Sequence, residues 1–203
     1  MRLYLPATLR ELSLADLGPR VASALTPELM RQLPDEDQDG WEMSAFLTAA
    51  DASLLLIGAS DDVPRRVVLA VEIANPLLSP LAESAADLAD LPSVIGTIDG
   101  VPWSAVVSIH VDDASAEDLV RAALAGDDEA YEQLGDVDLL WFDPTERAAL
   151  AHGSAAPQSA RLPRPPTRRP AGPFQERRVR RRERASWWRS LSLRPVLVRP
   201  QGR

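Results

Sequence analysis

The sequence predicts an α+β fold, with one compact domain over residues 1–150 and a small mixed or antiparallel sheet packed by helices. A disordered basic arm follows. Three observations lead there. Residues 66–73 form a β-branched run, and residues 93–98 and 103–111 flank the turn pair Asp99-Gly100. Apolar residues recur at helical spacing from Met43 to Ile57. Charge divides the chain: residues 1–160 hold 8 Arg against 28 acidic residues, a balance of −20. Residues 161–203 hold 14 Arg against 2 Glu, a balance of +12, and the halves combine to the net −8. An acidic body with a basic extension reads as a folded domain carrying an interaction tail.

Each element has a local cause. Residues 3–6 read as a first strand. Thr8 and Glu11 form a capping box opening a short helix that ends near Gly18-Pro19. Thr26-Pro27 starts a second helix, with Thr as N-cap and Pro at the first position, stopping by Leu33-Pro34. A third helix opens at Asp39 and presents Met43, Phe46, Leu47, Ala50, Leu54 and Ile57 along one face until Pro64. The strand at 66–73 follows. Residues 75–92 read as a loop with a short helix near 84–91. Residues 93–98 and 103–111 read as a hairpin, with Pro102 pointing to a longer turn. Ser115 and Asp118 cap another helix through Leu124, residues 127–134 form a short one, and 139–142 form the last strand. Asp143-Pro144-Thr145-Glu146 begins a final helical turn. Two adjacent strands joined by a hairpin argue against a doubly wound parallel sheet.

Composition excludes several chemistries. Without Cys there are no disulfides, thiolate zinc sites or Cys nucleophiles. Without Lys there is no Schiff base and no Walker lysine. No G-x-S-x-G elbow or phosphate-binding glycine loop is present. The opening residues lack the apolar run of a signal peptide, and the longest apolar stretch, 54–59, is far below the ~18–20 residues of a membrane span. A cytoplasmic location is expected, with no cofactor, no identifiable small-molecule ligand and no membrane association.

The body resembles a known family through the order of several segments: MRLYLPATL at the start, EMSAFLTAADASLLLIGAS followed by PRRVVLAVEI, then IHVDD and LLWFD. These place residues 1–150 with an actinobacterial family, domain of unknown function 6912. The resemblance implies a single cytoplasmic domain and carries no activity, cofactor or catalytic residue. The arm after Ala151 lies outside it.

Two constellations in the body invite a chemical reading. Asp35, Asp37, Asp39 and Gly40 match the opening of a calcium loop, but position 12, which needs a bidentate carboxylate, is Phe46. An acidic helix start, with Asp39 as cap and Glu42 completing the box, explains the same residues. His110 with Asp112 and Asp113 at a strand end could ligate a divalent metal or supply an oriented base. The competing account makes the aspartates helix caps and leaves His110 on a half-exposed sheet face. His152-Gly153-Ser154 falls where order is expected to end.

The arm at 151–203 is rich in Pro and Arg. Arg177, Arg178, Arg180, Arg181, Arg182 and Arg184 crowd eight residues, and Trp187, Trp188 and Arg189 follow. Residues 175–189 could form a transient helix. Arg forks with stacking Trp suit nucleic acid. The same residues suit an anionic membrane surface or an acidic protein surface, including this chain's own body. A solvated tail without a selected role is the alternative to all three. The leading expectation is a non-catalytic protein-interaction or regulatory domain, with nucleic-acid association and a metal-dependent enzyme as alternatives.

Overall fold

The computed structural model describes residues 1–60, 62–81, 85 and 88–152. Residues 153–203 of the predicted arm, including its Arg run and its Trp residues, lie outside them, as do residues 84, 86 and 87 of the helix expected at 84–91. The described chain is α+β. Strands β1 (Arg2–Ala7), β2 (Arg20–Ser23), β3 (Val67–Glu72), β4 (Leu78–Ser79), β5 (Val94–Ile98), β6 (Val106–Asp112) and β7 (Leu139–Phe142) form one open sheet. Its order is β4-β5-β2-β1-β3-β6-β7, and every neighbouring pair is antiparallel. The helices are α1 (Pro27–Gln32), α2 (Gln38–Gly58), α3 (Glu117–Leu124), α4 (Asp128–Leu134) and α5 (Arg147–Ala151).

Alternation along β1 sorts the two faces. Leu3, Leu5 and Ala7 pack with Leu69, Ile109 and Phe142 on one side, beneath Leu12, Leu17, Val101 and Leu150. Tyr4 joins Val68 and Ala70 on the other, against Ala45, Ala49 and Ala50 of α2. The far end of α2 makes a satellite core with α3 and α4 through Leu54, Ile57, Val120 and Tyr131.

Helix α2 departs from its predicted face. Its cap is Asp37, whose side chain accepts from Gly40 N at 3.1 Å, rather than Asp39. Met43 is 55% exposed, and the buried side is built largely from alanines together with Ser53. Small side chains let the helix lie close to the sheet. Ser53 exploits that approach: its hydroxyl donates to Ala7 O at 2.8 Å and accepts from Val67 N at 2.9 Å. One buried hydroxyl thus satisfies backbone groups at adjoining ends of β1 and β3.

The predicted hairpin does not form. β5 pairs with β2 and β4, whereas β6 pairs with β3 and β7. Asp99-Gly100 does turn, with Gly100 at φ +64. Pro102 then cannot donate to a ladder, and a 3-10 turn at Trp103–Ala105 redirects the chain. Val101 is buried within the core as the segment crosses the sheet. Strand β6 also carries a bulge opposite Val71, so Val106 shares the core side with Ile109, while Val107 is 39% exposed. Strict alternation would place Val107 with Ile109.

Two strands escape the sequence patterns. β2 opens on Arg20, whose guanidinium is buried, donating to Pro6 O and Gly18 O and pairing with Glu11. β4 is two residues long within the predicted loop. Near Thr8 the chain forms a 3-10 turn, and Glu11 reaches back to Thr8 N at 2.9 Å, half of the expected box. Asp113, not Ser115, caps the turn before α3. The Thr26 cap forms as read, and the final turn opens at Asp143 with a capping box completed by Glu146.

A second bulge on β5 sets Gly96 at φ +132, where a Cβ would lie 2.7 Å from Ser79 O. Gly96→Ala is therefore expected to lower unfolding free energy by about 1–3 kcal/mol in urea titration. An unchanged midpoint would contradict this close packing of β5 on β4.

Candidate interaction site at the β7 edge

The residues singled out in the sequence converge on β6, but their side chains are put to separate uses. Asp112 closes a fully buried pair with Arg66: Nε donates to Oδ2 at 2.9 Å and Nη2 to Oδ1 at 2.7 Å. The side chains are 1% and 0% exposed. Arg66 N also donates to Asp112 Oδ2 at 2.8 Å, and Asp112 N returns to Arg66 O. Nη2 further reaches Val137 O at 3.3 Å. This bidentate clasp ties the start of β3 to the end of β6 and to the approach of β7.

Asp113 faces solvent and accepts from Ser115 N and Oγ, which hold its carboxyl below the usual range. His110 lies on the α2 side. Its ring meets Phe46 edge-on at a centroid separation of 4.9 Å, and Nε2 is 3.0 Å from Ser108 Oγ. Burial pushes the imidazole pKa down to about 4, so it is neutral at pH 7. The three residues therefore do not share one site: an Arg-clasped carboxylate, a capping carboxylate and a packed neutral imidazole. Asp35, Asp37 and Asp39 are exposed around the start of α2, where Asp37 serves as its cap. Among the described residues, no three His, Cys, Asp or Glu are grouped to hold a metal.

Tyr4 carries a further polar cluster beside this face. Its hydroxyl donates to Glu42 at 3.1 Å, and Arg2 bridges Glu42 and Glu72. Burial, with the neighbouring carboxylate, raises the Tyr4 pKa to about 12.

What sequence reading missed is the exposed partner of His110. β7 pairs with β6 in the register His110↔Trp141 and Asp112↔Leu139. Directly opposed residues share a face, so Trp141 stands beside His110, and Leu139 packs against the core cluster between this face and α2. Phe142 enters the opposite core. Trp141 is nonetheless 42% exposed, although it stands in the apolar run Leu139-Leu140-Trp141-Phe142, whose composition reads as core. β7 ends the sheet. Between residues 127 and 146 the chain has eight Asp and Glu and no Arg. An indole on an open strand edge with acidic flanks is the most distinctive surface of the described residues.

A family model described as Family of unknown function (DUF6912) matches residues 1–151. The chain belongs to this family. No curated protein and no solved structure matches it. The family match ends at the last residue of α5, so the DUF6912 region is the sheet and its helices, and the basic arm lies beyond it. Among the described residues of this DUF6912 domain, no helix is long and apolar enough to cross a membrane.

Proposed function

We propose that the DUF6912 domain acts as a non-catalytic protein-binding domain whose contact surface is the β7 edge. Trp141 carries the reading: a large amphipathic ring, 42% exposed at a sheet edge, is the kind of side chain that dominates binding energy once a partner covers it. The open backbone of an edge strand adds main-chain hydrogen bonds, and alternate side chains add selectivity. Support also comes from Asp112 and Asp113, the leading chemical candidates, which have structural partners.

The test uses the full-length chain as bait. A captured protein is purified and its affinity measured for wild type and Trp141→Ser. A loss of about tenfold or more is expected, with the thermal midpoint little changed because the indole is half exposed. Equal affinity for both proteins overturns the assignment of the surface.

A second reading draws on the arm, where six Arg within residues 177–184 precede Trp187 and Trp188. It expects oligonucleotide affinity that falls steeply with salt and disappears when those six Arg become Gln. Fluorescence anisotropy across a salt series checks it, and binding that ignores salt would sink it. The acidic run around β7 opposes phosphate, which favours the first reading.

A further inference from the structure

We infer that the β7 edge is a strand-addition site for the chain's own basic arm, with residues 189–194 laid beside Leu139–Phe142. The Arg run at 177–184 would lie against the acids flanking that edge. The inference rests on reading β7 as a binding edge and names its occupant.

Three observations carry it. The first is backbone geometry. Among the described residues, β7 hydrogen bonds through its backbone to β6 alone, so alternate N–H and C=O groups point outward. The opposite edge is blunted, because β4 has two residues set between Pro76 and Pro80.

The second is charge. Asp136 and Asp138 precede β7, Asp143 and Glu146 follow it, and no Arg occurs from 127 to 146. Such an edge repels the same edge of another copy and attracts a cationic strand. The arm supplies that charge, with its balance of +12 over residues 161–203.

The third is pattern and reach. Leu191 and Leu193 alternate with Ser190, Ser192 and Arg194, the period of a half-buried strand, and Pro195 stops it. Thirty-six residues, 153–188, lie between the end of the described chain and residue 189, a contour of roughly 120 Å at full extension, so chain length does not limit a return to β7. Tethering also gives the chain's own arm an effective concentration on the order of millimolar, above that of a neighbour's arm in dilute solution.

Hydrogen exchange on the full-length chain in dilute solution tests the inference. Wild type is compared with Leu191→Pro/Leu193→Pro, which removes two donors, and with a variant in which the six Arg of 177–184 become Gln. The outward amides of β7 are expected to exchange about tenfold faster in both variants. The inward amides bonded to β6 should be unchanged, which confirms folding in the same strand. Salt at about 0.5 M should move wild type toward the Arg variant. Identical rates in all three proteins overturn the inference. Protection that grows with protein concentration also overturns it, since the occupant is then a neighbour's arm. If the arm fails in this way while a purified partner still requires Trp141, β7 remains a binding edge for another protein. If the Trp141 test also fails, the reading of the edge itself falls.

Discussion

Asp112→Ala is expected to destabilise the domain by about 3–5 kcal/mol, because it leaves the Arg66 guanidinium charged and buried without its partner. Both side chains are essentially inaccessible, and the carboxylate accepts from Nε, Nη2 and the Arg66 backbone N. Losing it exposes no route to water for that charge. A double variant, Arg66→Met with Asp112→Leu, should be closer to wild type than either single change, since both desolvation costs vanish together. Some loss should remain, about 1–3 kcal/mol, because the Arg66 backbone N–H loses its acceptor. Urea unfolding of the three variants measures this. If the double variant loses as much as the two single variants combined, the pair is not a coupled buried unit. The clasp also explains why Asp112 is unsuited to metal ligation or proton transfer: its oxygens are committed at 2.7–2.9 Å to one cation and one backbone amide.

The second large effect is acid sensitivity from His110. Burial against Phe46 places its native pKa at about 4, below the ordinary 6.5. As pH falls, the unfolded chain therefore binds the proton first. The stability contributed by keeping the ring neutral is complete above pH 6.5 and is lost progressively toward pH 4. Linkage gives a loss of about 3 kcal/mol between pH 7 and pH 4. The groups around the ring are Phe46, Ser108, Val68 and Trp141, and none titrates in that window. Tyr4, which packs on Phe46, is held neutral with a pKa near 12. Carboxylates such as Glu42, Asp113 and Asp143 have lowered pKa values and also lose stability on acidification, at lower pH. His110→Gln isolates the imidazole: it can keep a polar contact with Ser108 and should flatten the stability curve between pH 6.5 and 4.5. An unchanged pH slope in that variant would place the acid sensitivity elsewhere.

Both effects arise from residues whose environment is set by distant chain segments. His110 and Asp112 were legible as unusual polar residues in an apolar strand. Nothing local told that Asp112 faces Arg66 across 46 positions, or that His110 meets an aromatic ring from α2. Their chemistry depends on the register between β3 and β6, and register is a tertiary property. Trp141 shows the same limit. LLWF reads as core by composition, yet β7 is the last strand, so one of its four side chains stays half exposed.

The sequence by itself determined the fold class, the long helix, the strands within 66–73 and at 139–142, the short helix at 127–134, and the helix starts at Thr26 and Asp143. These are short-range matters: periodicity, capping hydroxyls and carboxylates, and β-branched runs act within a few residues. Only the tertiary structure decided the strand order, and with it the separation of β5 from β6 that a turn signal alone had joined. It also decided which face of α2 is buried, because close approach to the sheet rewards Ala45 and Ala49 over the larger Met43. A turn pair such as Asp99-Gly100 fixes local direction. The burial of Val101 and the competing partners β2 and β3 settle where the chain goes next, through apolar area that local sequence cannot count.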